Sequence, residues 1–82
     1  MDAFMLGRWY KSLNHDQKAF EFYQKAANLG NSVAQHNLAC MYKNGVGIEK
    51  DINQAIYWYE QSAKQGDQDA QDQLKRLKKE SE

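Results

Sequence analysis

Ala19-Phe20-Glu21-Phe22-Tyr23-Gln24-Lys25-Ala26-Ala27-Asn28-Leu29-Gly30 is answered thirty-six residues later by Ala55-Ile56-Tyr57-Trp58-Tyr59-Glu60-Gln61-Ser62-Ala63-Lys64-Gln65-Gly66. Small and aromatic residues recur in both stretches at the three- and four-residue spacing of one helix face, and each closes on a glycine. The register extends past the glycine, where Ala34 and Leu38 fall on Ala70 and Leu74. Near the N-terminus a shift of thirty-two places Leu6, Gly7 and Tyr10 on Leu38, Ala39 and Tyr42. Self-similarity at this period is the signature of stacked supersecondary units, each too small to bury its own apolar face. The unit here is a helix pair, in which Ala and Gly let backbones approach while Tyr, Trp and Leu fill the spaces between.

Working outward, the periodicity predicts five helices, at 2–12, 16–29, 32–43, 52–65 and 68–79, and no sustained alternation argues for a strand. Ser32 with Gln35, and Asp51 with Gln54, have the spacing of capping boxes. Gly30 and Gly66 stand where a left-handed residue ends a helix at little cost. Asn44-Gly45-Val46-Gly47-Ile48-Glu49-Lys50-Asp51 is the long loop, whereas the first helix pair is joined only by the short link from Lys11 to His15. The fold class expected is all-α: a short solenoid of two antiparallel helix pairs, about 2–30 and 32–66, with a covering helix over 67–80, in a single domain spanning 1–82.

Leu6-Gly7, Tyr10, Ala19, Tyr23 and Ala26 resemble the tetratricopeptide pattern. The later segment more closely resembles the Sel-one-like repeat, through Ala34-Gln35-His36-Asn37-Leu38-Ala39, Met41-Tyr42, Asn44-Gly45-Val46-Gly47, Lys50-Asp51, Ala55, Trp58-Tyr59, Ala63 and Gly66. The resemblance implies a right-handed α-solenoid whose concave face binds other proteins, often as an adaptor. Two departures stand out. The first pair lacks the Gly-x-Gly loop of the second, and the single Cys40 cannot supply the paired cysteines of some secreted relatives.

Composition excludes several other classes. Eleven basic and eleven acidic residues cancel, so the chain lacks the electrostatic footprint of a nucleic-acid or anionic-membrane binder. No apolar run approaches the ~20 residues that span a bilayer, and the start Met1-Asp2-Ala3-Phe4-Met5-Leu6 has no basic region or cleavage site. A cytoplasmic setting is expected. The glycine loop does not follow a strand and lacks the Gly-Lys-Ser/Thr ending of a phosphate cradle, so it reads as an inter-helix turn. No cofactor is expected.

The candidate site follows from the expected stacking, which lines the concave groove with the first helix of each pair. On 32–43, Ala34, Leu38, Met41 and Tyr42 form the packing side, leaving His36, Asn37, Cys40, Lys43 and Asn44 toward the groove. Arg8 and Lys11 take the matching places on the first helix, and Asp72, Gln73 and Arg76 on the last. Cations and amides together suit a protein or peptide segment with exposed backbone or acidic groups. The partner-binding set is therefore Arg8, Lys11, His36, Asn37, Cys40, Lys43 and Gln73, with no catalytic residue.

Two other readings remain open. His36 and Cys40, one turn apart, have a permitted metal-ligand spacing, but zinc takes three or four protein ligands, and a thiol nucleophile needs an orienting group and an oxyanion pocket. The other alternative is a structural end-piece of a longer array, or a module that pairs with itself. Met1, Phe4, Met5 and Trp9 offer more apolar surface than one helix stripe needs. At the other end Ala70, Leu74 and Leu77 form a single stripe, and acidic residues early with basic residues late complement the dipole of a solvated covering helix.

Overall fold

The computed structural model describes residues 2–80. Five α-helices follow one another: α1 (Ala3–Ser12), α2 (Asp16–Asn28), α3 (Ser32–Asn44), α4 (Ile52–Lys64) and α5 (Gln68–Glu80), with no strand among the described residues. Each helix packs chiefly on its neighbours in the chain, so the stack is quasi-one-dimensional. It measures 38 × 25 × 17 Å.

The repeat supplies the core. Ala19, Ala34, Ala39, Ala55 and Ala70 are wholly buried where helices cross, and Tyr23, Leu38, Trp58 and Tyr59 fill the volume between them. Gly7 of α1 lies beneath the Tyr23 ring, where a Cβ would come within 3.0 Å of the ring carbons. Its counterpart in the second pair, Ala39, is also fully buried, so the small residue is required at this crossing in both units. The stripe of the covering helix is as the sequence suggests, with Ala70 and Leu77 buried and Leu74 packed against the core.

The helix ends divide the expectations. Asp51 caps α4, accepting from the Gln54 N–H at 3.2 Å, while Gly30 and Gly66 take positive φ just beyond α2 and α4. Ser32 is not a cap. The preceding Asn31 holds the extended conformation and accepts from the Ala34 N–H at 2.9 Å, so Ser32 is already helical. Gln35 is consequently free of any capping role. It is buried, donates to the Ala27 carbonyl at 3.1 Å and accepts from Gln65 at 2.9 Å. Gln65 also donates to the Gly30 carbonyl, and this amide chain ties the α2–α3 turn to the end of α4. The short first link closes through Asn14, which adopts the left-handed conformation at φ 61°; asparagine is among the few non-glycine residues that tolerate it.

Of the N-terminal apolar residues, Met1 lies outside the described range. Phe4 packs against Tyr23 with ring centroids 6.0 Å apart, whereas Met5 and Trp9 remain half exposed.

Candidate functional site

Helices α1, α3 and α5 adjoin along one face, and α3 is the middle rail that carries most of the expected contact residues. Toward α1 there is a concave pocket of about 210 Å³, lined by Lys11 of α1, Tyr23 of α2, Asn37, Cys40, Met41 and Asn44 of α3, and Val46 of the glycine loop. Its walls are mainly apolar, from Tyr23, Met41 and Val46, and its rim is polar. The Asn44 amide is engaged by the Cys40 carbonyl at 3.0 Å. Asn37, by contrast, has no side-chain hydrogen-bond partner among the described residues. Lys11 holds an exposed ion pair with Asp16 at 3.0 Å, an interaction worth at most about 1 kcal/mol and easily exchanged.

Lys11, Asn37 and Cys40 are thus brought together, and the remaining expected residues are placed elsewhere. Arg8 sits over the Phe4 ring, 5.8 Å from its centroid, at the edge of the face. Lys43 donates to Gln73 Oε1 at 2.9 Å, so these two link α3 to α5 across the groove. His36 turns to the α4–α5 turn, with Nδ1 2.8 Å from Asp67 Oδ2.

Asp67 is the centre of a polar cluster that helical spacing does not reveal. Its Oδ1 accepts from the Ala70 N–H at 3.2 Å at the start of α5, and its Oδ2 also meets the fully buried Ser62 hydroxyl at 2.7 Å. Ser62 Oγ lies 2.9 Å from the Ser32 carbonyl as well, so one hydroxyl proton serves two acceptors. Burial pushes the Asp67 carboxyl up, but the hydrogen bonds from Ser62, Ala70 and His36 outweigh it and hold its pKa below the usual value. The correspondence of Gly30-Asn31 with Gly66-Asp67 contained a signal for this role, since Asn31 caps α3 as Asp67 caps α5.

Cys40 faces inward, its Sγ 3.0 Å from the hydroxyl of the fully buried Tyr59. Burial raises the thiol, while His36, the Tyr59 hydroxyl and Lys43 more than offset that and lower it. His36 is raised to about 9 by the neighbouring Cys40 one turn along the helix and by the Asp67 carboxylate 2.8 Å from its ring, against its own burial. An NMR titration of the His36 ring should therefore give a midpoint well above 6.5. Asp67→Asn should lower that midpoint, since its carboxylate is the charged partner 2.8 Å from the ring; an unchanged midpoint would remove Asp67 as a cause. Among the described residues no group of three His, Cys, Asp or Glu side chains converges on one point as a metal would require. No helix among them is long and apolar enough to cross a membrane.

Comparison with known proteins places this geometry. The Sel1 repeat model matches residues 3–31 and 32–67. The chain is 32% identical over 62 residues to "DAP3-binding cell death enhancer 1" of Rattus norvegicus, covering 76% of this chain and 12% of that protein. It is 36% identical over 59 residues to the "ERAD-associated E3 ubiquitin-protein ligase component HRD3" of Candida glabrata, covering 72% of this chain and 7% of that protein. Among solved structures, a Sel1 repeat protein from Oxalobacter formigenes superposes with a TM-score of 0.81 at 33% identity, over 90% of this chain and 59% of that one. The chain therefore spans only a small part of these curated relatives.

Proposed function

This chain belongs to the Sel1 repeat family, and on that footing we propose that it is a non-catalytic protein-interaction module that receives a partner segment on the α1–α3–α5 face. The observation that carries the reading is the pocket between α1 and α3. About 210 Å³ with apolar walls accommodates one side chain of a partner, while Asn37 stands at the rim with both amide functions free for a peptide backbone. Lys11 beside it, with Arg8 and Lys43 flanking, favours an acidic group next to that side chain. The rigid helix array contributes by presenting these groups preorganised, which limits the ordering cost of binding. The names of two relatives, one a DAP3-binding protein and one a ubiquitin-ligase component, agree with a role in protein assembly.

The test is affinity capture from extract of the source cells, comparing the wild-type chain with Lys11→Glu/Asn37→Asp. Both positions lie outside the buried core, so helicity should be unchanged. A partner retained by the wild type and weakened at least about tenfold by the variant, equivalent to roughly 1.4 kcal/mol, supports the reading. Undiminished capture by the variant removes this face from the binding surface. Lys43→Glu provides a graded comparison, because Lys43 is tied to Gln73 and borders the pocket without lining it.

A further inference from the structure

We infer that the segment received on the α1–α3–α5 face carries two side-chain carboxylates about three residues apart, bound by Lys11 and Lys43, with an apolar residue between them in the pocket. The inference rests on the groove reading and adds to it the chemistry and spacing of the partner.

The repeat places the two cations alike. The shift that sets Leu6 on Leu38 sets Lys11 on Lys43, and each stands in the last turn of its helix. Lys25 and Lys64 close α2 and α4 in the same way, where they complement the helix dipole. Position alone therefore does not mark a site, but surroundings separate the pairs. Lys11 lines the pocket on its α1 side. Lys43 follows the pocket residue Cys40 by three positions and reaches the other way, to Gln73 of α5, so the pocket lies between the two ammonium groups.

Both charges are available. Lys43 has no carboxylate partner among the described residues, and its 2.9 Å bond is to a neutral amide. Lys11 holds Asp16 at 3.0 Å, with side chains 47% and 41% exposed; so open a pair exchanges readily for another carboxylate. Arg8 lies over the Phe4 ring, and Arg76, three residues beyond Gln73, is exposed. The acids on this side are placed differently. Asp67 is held by His36, Ser62 and the Ala70 N–H, and Asp72, next to Gln73, is turned about 100° further round α5. In a chain of zero net charge, this face gathers cations around an apolar pocket, and its complement is an acidic segment with an apolar anchor.

The spacing follows from helix dimensions. Neighbouring rails stand about one helix diameter apart, roughly 10 Å. An extended chain advances about 3.3 Å per residue, so three residues cover that distance. In the polyproline II form the rise is about 3.1 Å and the repeat three residues, which returns both acids to one face.

Selection from a random dodecapeptide display library on the whole chain tests this, followed by fluorescence anisotropy of the selected peptides made with both ends blocked. The expected consensus is acid, apolar residue and acid within four positions. Replacing either acid by Gln should weaken binding about twofold to fivefold, the range of one exposed ion pair, and the loss should shrink in about 0.5 M salt. Lys11→Gln should make one of the two acids indifferent and Lys43→Gln the other, at unchanged helicity. Selected peptides that need no acid, or whose acids both stay sensitive in both variants, would overturn the inference and leave the groove reading standing. Selection of no sequence, or only of sequences indifferent to Lys11→Glu/Asn37→Asp, would overturn the groove reading and this inference with it.

Discussion

Gly47→Ala should be the most damaging single-methyl change in this chain, with an expected loss of about 2–5 kcal/mol of folding stability. Gly47 has φ +74°, a conformation that costs an L-residue roughly 1–2 kcal/mol. A Cβ there would also run into the Asp16 carbonyl at the start of α2, and backbone cannot swing aside as a side chain can. Overpacking of this kind adds about 1–3 kcal/mol. A domain of this size has a total stability of only about 4–12 kcal/mol, so a substantial fraction of the protein should be unfolded. Gly30→Ala is the control: φ is +94°, but nothing lies within 4 Å of the added methyl, so only the backbone cost of about 1–2 kcal/mol is expected. Urea titration followed by circular dichroism measures both. Equal losses would show that the loop yields and the contact with α2 is soft. The change would also reach the proposed binding face, since the adjacent Val46 forms one wall of the pocket.

Asp67→Ala is the second large effect, on the order of 3 kcal/mol. It removes the acceptor at the head of α5, where a lost cap costs about 0.5–2 kcal/mol. It also leaves the half-buried His36 and the buried Ser62 hydroxyl without their shared carboxylate, each a further loss of about 1–3 kcal/mol if unsatisfied. Ser62 retains the Ser32 carbonyl, which keeps the sum below the simple total. The loss should concentrate in α5, so hydrogen exchange should accelerate across 68–80 while α1 and α2 stay protected. Uniform acceleration would show that the five helices unfold as one unit.

The pH dependence has a definite sign. A carboxyl whose pKa falls on folding contributes stability that is complete above its unfolded value of 3.8 and is lost as pH drops through the folded one. The advantage of wild type over Asp67→Asn should therefore be present at neutral pH and shrink below about pH 4. Asp67→Asn should also be the milder change at neutral pH, because the amide oxygen still accepts from Ala70.

Release of α5 would reach the candidate binding face through Gln73, which is held against Lys43. The polar cluster at the α4–α5 turn therefore positions one rail of that face, although none of its members lines the pocket.

The sequence by itself determined the number of helices, their order and the face each one buries. Helix periodicity and glycine stops are local properties, and a thirty-six-residue repeat admits little but stacking. Tyr59, Leu38 and the alanines at the crossings were legible for that reason. It also placed Asn37 and Cys40 on one side of α3, because residues three and four apart on a helix share a face in any fold. Only the tertiary structure decided which polar groups meet. Asp67 lies thirty-one residues from His36, and Gln73 thirty from Lys43. No spacing rule encodes such pairs, which arise only once α5 settles on α4 and α3. The capping error at Ser32 has the same origin. Asn31 and Ser32 are both competent caps, and the choice between them depended on Ser32 giving its carbonyl to Ser62 and Gln35 giving its amide to α2. Local chemistry thus fixed the elements, and the remote hydrogen bonds were settled by packing, because their geometry exists only after the helices have docked.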